Sequence, residues 1–569
     1  ENNENTLNTS LKINQKLDFV TKGLSIQAMV NWKNWSSSNY NRSINPYYYG
    51  VKAGSYNPAT PTDYEMEALN TNGTDYLATS AIGKSSDQTF YMDARLNYDR
   101  QFDLHHVTGM LMYMQREYRS DVLPQRNQGI SGRFTYDYGQ RYLVELNFGY
   151  NGTERLAKKS RFEFFPAISL GWVISNEQFF EPMTDMIDNL KIRGSYGLVG
   201  SDETGMGAGA QHFLYIDQVY LNNIGFTTGV DMNYTLSGPQ MITYAVQNAS
   251  WERVKKLDIG LDIELLRQIT ITTDYFKERR YNILLNREAW PESLAYYTAK
   301  PWSNKGKVDN WGFEVSLNWH KEIIKDLFID FRGNFTYTEN KYVDLDEPIY
   351  PYVWKTSTGK PLSRTTGYVA EGLFQSQEEI DNSPEQNLGS VVKPGDIKYR
   401  DINGDGKIDS NDEVMLSPYG STPRIQYGLG LNITYKKFDF GVFFNGSAKR
   451  KIMVSGVTPF GESDYNVMKF IANERWTEAN PNPNATYPRL GLVSSQTANN
   501  NVSSSYWMRN GNFLRFKTLE FGYNFGYGRV YLSGDNLAVF SPFKLWDPEL
   551  SYNSYPLQRT FNVGVQLNF

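Results

Sequence analysis

Residues 401–412 read Asp401-Ile402-Asn403-Gly404-Asp405-Gly406-Lys407-Ile408-Asp409-Ser410-Asn411-Asp412. Oxygen-bearing side chains stand at positions 1, 3, 5, 9 and 12 of this loop, with glycine at position 6. That is the spacing with which a loop wraps a hard cation: calcium takes about six to eight oxygens, and the glycine permits the sharp turn. The implied ligands are Asp401, Asn403, Asp405, Asp409 and Asp412, with Lys407 giving its backbone carbonyl. Asp412 stands where glutamate is usual, so its bidentate reach is shorter. A structural Ca2+ here would stiffen the long segment around it and would do no catalysis. The same Asp, Asn and Gly residues also make solvated turns that need no ion.

Aromatic clusters are the second candidate. Tyr47, Tyr48 and Tyr49 follow Pro46; Trp290, Tyr296, Tyr297 and Trp302 crowd one loop; Tyr350, Tyr352 and Trp354 crowd another. Sugar rings stack their C–H faces on such planes while amides and carboxylates take the hydroxyls, so these rings would suit a glycan path. Rings of this type also pack loops together or sit at membrane interfaces. Other templates fail. His105, His106, His212 and His320 have no metal-ligand spacing. Gly205-Met206-Gly207-Ala208-Gly209 lacks the following helix that a phosphate site requires. No carboxylate pair is singled out as a glycosidase acid and nucleophile. No catalytic residue or catalytic cofactor is expected, and the chain does not read as an enzyme.

These residues must be positioned by strands. The 569 residues include no cysteine, which excludes disulfides, zinc–thiolate sites and thiol nucleophiles. Lys and Arg number 57 against 62 Asp and Glu, so no basic field invites nucleic acid. Mean hydropathy is −0.55, and no run approaches the length of a membrane helix. Strands that cross a membrane remain open, because each needs only about ten alternating residues. Aromatic residues make up 15% of the chain, a composition that favours strands and membrane interfaces.

Period-two alternation is explicit in several segments. Phe561, Val563, Val565, Leu567 and Phe569 fall on one face of the C-terminal segment, opposite Thr560, Asn562, Gly564, Gln566 and Asn568. Leu257, Ile259, Leu261, Ile263 and Leu265 alternate with Asp258, Gly260, Asp262 and Glu264. Ile425 to Tyr435 repeats the pattern around Gln426, Gly428, Gly430, Asn432 and Thr434. Alternation alone fits a soluble sandwich as well as a membrane barrel. The lengths, near ten residues rather than five or six, favour the barrel.

Seventeen such segments are expected: 10–19, 24–33, 88–100, 105–115, 129–137, 141–150, 166–175, 189–198, 256–265, 269–281, 311–319, 327–338, 424–435, 437–445, 512–524, 529–540 and 559–569. Short turns alternate with long loops between them, as on the two rims of an outer-membrane barrel. The expected fold is all-β: a transmembrane antiparallel up-and-down barrel with long extracellular loops, short periplasmic turns and a periplasmic C-terminus. Residues 1–569 form one barrel domain, with a calcium-loop-like insert at 395–420. Single-chain bacterial barrels have an even strand number. An odd count is therefore expected to mean a barrel incomplete at its N-terminus.

Several stretches resemble the SusC/RagA family of TonB-linked outer-membrane transporters of Bacteroidetes-type bacteria. They are RFEFFPAISLGWVISNE (161–177), LKIRGSYGLVGS (190–201), WERVKKLDIGLDIELL (251–266) and ITITTDYFKERRYNILL (269–285). GDIKYRDINGDGKID (395–409) with PRIQYGLGLNITYKKFDFGVFFNGSA (423–448) is the most specific, and SSYWMRNGNFLRFKTLEFGYNF (504–525) and RVYLSGDNLAVFS (529–541) complete the set. The resemblance implies a barrel of about 22 strands, a plug and TonB box outside this chain, and a SusD-like surface lipoprotein as lid. It also implies import of oligosaccharides, or in some members oligopeptides, driven through TonB–ExbBD. A passive porin or a structural barrel would share every strand signal.

Overall fold

The computed structural model describes residues 2–203, 212–246, 248–291, 301–454, 467–491, 494–551 and 554–567. Two units divide the chain: Glu1–Phe102, Val107–Phe134 and Asn147–Phe164 form one, and Asp103–His106, Thr135–Leu146 and Phe165–Phe569 the other. No helix among the described residues is long and apolar enough to cross a membrane, which says nothing of strands.

Seventeen main-sheet strands are present among the described residues, one for each segment expected from alternation. In the first unit β1 (Asn2–Lys16), β2 (Leu24–Asn39) and β3 (Gly83–Phe102) pair in sequence, antiparallel. β4 (His105–Arg119), β5 (Gln125–Tyr138) and β6 (Tyr142–Thr153) follow along the chain. The second unit carries β7 (Phe162–Val173), β8 (Ile187–Ser201), β9 (Glu252–Leu265), β10 (Ile269–Asn286), β11 (Trp302–Ile324) and β12 (Leu327–Asp344). β13 (Ile425–Tyr435), β14 (Phe438–Ala448), β15 (Phe513–Asn524), β16 (Gly528–Phe540) and β17 (Thr560–Leu567) continue it. From β7 to β17 every strand is antiparallel to the next, an uninterrupted up-and-down meander.

Several strands outrun the expected segments. β11 begins at Trp302, which stands opposite Asn286 on β10, so Trp302 belongs to a strand and not to the loop assigned to it from sequence. The ladder hydrogen bonds extend past the alternating stretch, because backbone pairing needs no particular side chain. A hairpin of Gln218–Thr228 with Tyr234–Thr243 is also present where no strand was expected.

Exposure separates the two architectures that alternation leaves open. In a sandwich the apolar stripe is the buried inner face. Here it is the open face: Ile259 on β9 is 51% exposed, Leu429 on β13 43%, Phe521 on β15 47% and Leu532 on β16 53%. All four stand on strands paired on both sides. A continuous exposed apolar face of this kind is stable against lipid and unstable in water.

The hydrophobic core of the second unit lies off the sheet. Residues between β12 and β13, β14 and β15, and β16 and β17 fold together around Ile397, Tyr399, Ile408, Val454, Tyr487 and Trp507. Each of these six is buried to within 2%. What alternation presents as long loops is therefore a packed body with an interior of its own.

Candidate functional site

The opposite, polar face of the sheet is organised around arginines. Arg193 on β8 faces Gly260 on β9, and Gly260 faces Asp274 on β10. That register lets the Arg193 guanidinium reach Asp274 at 2.6 Å, Asp262 at 3.1 Å and Asp258 at 3.4 Å. Gly260 is needed for this: a Cβ there would lie 2.3 Å from Arg193 Cζ. On β16, Arg529 forms ion pairs with Asp439 of β14 and Glu520 of β15. Charged groups facing each other across strands in this way hold strand register while leaving a hydrated face. These ion-pair clusters were not singled out from the sequence. Parity places each on the polar face, but cross-strand register is not readable from alternation.

The body between the strands is joined by a buried polar network. Asp396, with no exposure, is held by Arg489 at 2.8 Å and by Asn500 Nδ2 at 2.7 Å. Burial keeps its carboxyl above the usual range, against the pull of Arg489. The Gln386 amide donates to Asn499 Oδ1 at 2.7 Å and accepts from the Tyr399 N–H at 2.7 Å, and the Trp507 indole donates to the Asn500 carbonyl at 2.7 Å. The Gln386, Asn499, Asn500 and Trp507 polar groups are satisfied here by one another, as burial demands. Further out, Arg515, also without exposure, pairs with Asp547 at 2.6 Å and Glu549 at 2.7 Å, fixing the segment after β16 to β15.

The 401–412 loop packs into this body through Ile408, which has no exposure, and its Lys407–Ile408 strand runs parallel to Glu385–Gln386. Its side-chain oxygens accept backbone N–H groups. Asp401 takes those of Gly404 (2.7 Å) and Gly406 (2.8 Å), Asn403 that of Asp405 (3.1 Å), and Asp405 that of Lys407 (2.9 Å). Asp409 takes that of Asn411 (2.7 Å), and buried Asp412 those of Ile402 (2.8 Å) and Asp409 (2.9 Å). Gly404 and Gly406 have φ of +74° and +83°, which other residues rarely adopt. Among the described residues no group of three or more His, Asp or Glu side chains is gathered as a metal site.

Two predicted aromatics join this loop. Tyr352 and Trp354 stack at 4.8 Å between ring centroids, with an interplanar angle of 15°. The Trp354 indole donates to the Asn411 carbonyl at 2.7 Å, and Asn403 Nδ2 donates to the Tyr352 hydroxyl at 3.1 Å. Both rings therefore clamp the segment after β12 onto the loop, and their polar atoms are engaged within the protein. The other aromatics are dispersed. Tyr47, Tyr48 and Tyr49 lie in the first unit, each about half exposed. Trp290 lies under the Arg287 guanidinium at 5.4 Å. Tyr296 and Tyr297, like Gly205-Met206-Gly207-Ala208-Gly209, lie outside the described residues.

The turn beside the clamp carries a pH-dependent contact. Glu347 accepts the Ser357 N–H at 2.8 Å, the Thr358 N–H at 2.9 Å and the Thr358 hydroxyl at 2.7 Å. Burial would raise its carboxyl, but these donors outweigh it and hold it below the usual range. A lowered folded value gives stability present above the ordinary carboxylate range and lost as pH falls through the lowered value. Amide exchange at Ser357 and Thr358 should accelerate below that point, and Glu347→Gln should show the fast exchange at every pH.

A family model described as TonB dependent receptor-like, beta-barrel, matches residues 1–566. The chain belongs to this family. The TonB-dependent receptor SusC of Bacteroides thetaiotaomicron is 28% identical over 467 residues, covering 77% of this chain and 43% of SusC. TonB-dependent receptor P3 of Formosa agariphila is 25% identical over 484 residues, covering 77% of this chain and 45% of P3. The solved structure of the RagAB peptide transporter matches with a TM-score of 0.69 at 16% identity, over 100% of this chain and 62% of that one. That likeness establishes the fold. The chain spans about half the length of the curated relatives it matches. Membership accounts for the exposed apolar stripe: in β-barrels of this family such a stripe is the lipid face.

Proposed function

We propose that the chain is the barrel part of a bacterial outer-membrane transporter that imports an oligomeric nutrient. One observation carries this reading: successive strands expose an apolar face on one side and hold an ion-paired polar face on the other. On this reading TonB–ExbBD supplies the energy, a SusD-like surface lipoprotein is the partner, and outer-membrane lipid covers the apolar face. Oligosaccharide is the favoured cargo, because exposed rings such as Tyr48 suit sugar C–H faces; the chain carries out transport and not catalysis. The fold likeness to a peptide transporter favours oligopeptide as the second reading.

Uptake of labelled oligosaccharides and oligopeptides, in cells with and without the gene and with a protonophore, tests the proposal. Uptake should disappear in the deletion and under the protonophore. Uptake that survives the protonophore would make the protein a passive porin.

For the 401–412 loop we propose Ca2+ as a structural ligand of Asp401, Asn403, Asp405, the Lys407 carbonyl, Asp409 and Asp412. The N–H groups it accepts leave lone pairs on the carboxylate oxygens, so hydrogen bonding and ion binding are compatible. The negative field of Glu413, Asp412 and Asp409 adds to burial in pushing the Tyr368 hydroxyl up to about 12. Asp401→Ala with Asp405→Ala should remove about one equivalent of bound calcium and make the loop sensitive to protease. Unchanged metal content would reduce the loop to an Asx-rich turn.

A further inference from the structure

The apolar face of β9–β12 ends in a row of charge. Lys255, Arg279, Asp309 and Lys341 stand directly opposite one another across these four strands. Lys277, two residues from Arg279 on β10, points to the same side. Toward the short 266–268 turn the face is apolar or aromatic: Ile259, Tyr275, Phe313 and Tyr337 form one row, and Ile263, Ile271 and Leu317 another. Depth follows from the register. Lys255 and Leu265 are separated by about 33 Å of strand, which is about 25 Å of height at the usual barrel tilt. A lipid-facing band is about that tall, so the cations stand where lipid headgroups begin. The connections at this end, 287–301 and 345–424, are the long ones, as on the outer-leaflet rim of a barrel.

The charges in the row do not cancel. Asp309, 4% exposed, is taken by Arg279 through two hydrogen bonds of 2.7 Å. Glu339, the other acid on this part of the face, accepts from the Tyr337 hydroxyl at 3.0 Å and lies 3.8 Å from Arg424. Lys255, Lys277 and Lys341 are exposed, and none has a carboxylate within ion-pair distance among the described residues. Rings hold two of them: Lys255 Nζ lies 5.5 Å from the Tyr281 ring centre and Lys341 Nζ 6.0 Å from that of Trp311. Three ammonium groups left without a counter-charge at the edge of an apolar surface repel one another, and an anion seated among them offsets that repulsion. A phosphate monoester brings a charge of about −1.5 to −2. Lys255 and Lys341 stand three strands apart, about 14 Å between backbones, a span that a phosphorylated disaccharide headgroup covers.

The geometry points to a docking site for a phosphorylated outer-leaflet glycolipid, with its phosphate among Lys255, Lys277 and Lys341 and its acyl chains along Ile259, Tyr275 and Phe313. This rests on the outer-membrane reading and adds a specific lipid to it. The test uses the protein purified from outer membranes and stripped of lipid by detergent exchange. Lipid A, dephosphorylated lipid A and phosphatidylglycerol are titrated in, and bound lipid is counted by native mass spectrometry. Lipid A should bind best. Lys255→Gln, Lys277→Gln and Lys341→Gln together should weaken it about 100-fold. Arginine at the same three positions should keep it within about threefold, both variants with wild-type heat-modifiable gel mobility. Equal binding of dephosphorylated lipid A or of phosphatidylglycerol, absence of binding, or insensitivity to the triple glutamine substitution would overturn the site. Release of a copurifying protein or of a second copy of the chain by that substitution, with lipid A binding unchanged, would assign the row to a protein contact and overturn it too. Protonophore-sensitive uptake alongside any of these results would leave the transport reading standing and refute the lipid site alone.

Discussion

Arg489→Met is expected to loosen the body between the strands by about 3–5 kcal/mol, the usual cost of leaving a buried charge without its partner. Asp396 would keep only the Asn500 amide and the Lys393 N–H. A second substitution, Asp396→Asn, should restore more than half of the loss, because it removes the stranded charge. The single variant's deficit should shrink in acid, where Asp396 takes up a proton: a carboxyl already held above its usual range protonates early. Limited proteolysis between β12 and β13 reads the effect. Equal stability of wild type and Arg489→Met would show that the pair does not hold the body together.

The second large effect lies on the sheet. Ile259→Arg puts a charge midway along β9, on the apolar face, and should cost about 2–4 kcal/mol for a barrel folded into lipid vesicles. Thr272→Arg on β10 stands opposite Asp262 on the polar face and should cost less than about 1 kcal/mol. Urea titration of refolded protein measures both. Similar costs for the two variants would mean that the faces are not distinguished by lipid.

Strand number and order were legible because period two survives along each strand: Leu257 to Leu265 and Ile425 to Tyr435 announce themselves. Strand ends were less so, since Trp302 and the start of β11 pair through backbone groups that no side-chain pattern records. The interior of the loop body was not legible. Ile397, Tyr399 and Ile408 come from one segment, and Val454, Tyr487 and Trp507 from another, so no local periodicity links them. The Asp401–Asp412 spacing was plain, and what it could not convey is that Tyr352 and Trp354 close onto it from some fifty residues earlier. The wall arginines needed register: Arg193 finds Asp258, Asp262 and Asp274 only because three strands align at Gly260.

The chain lacks cysteine, so a single introduced thiol reports its own surroundings. In outer membranes, Asn432→Cys should react with a water-soluble maleimide, and Leu429→Cys, three residues away on β13, should resist it. A lipid-borne quencher should reverse the order, dimming a fluorophore at residue 429 and sparing one at 432. That pair of results would place the apolar face in the bilayer and the polar face in water. Ready aqueous labelling at residue 429, with protection at 432, would contradict the barrel wall and the transport built on it.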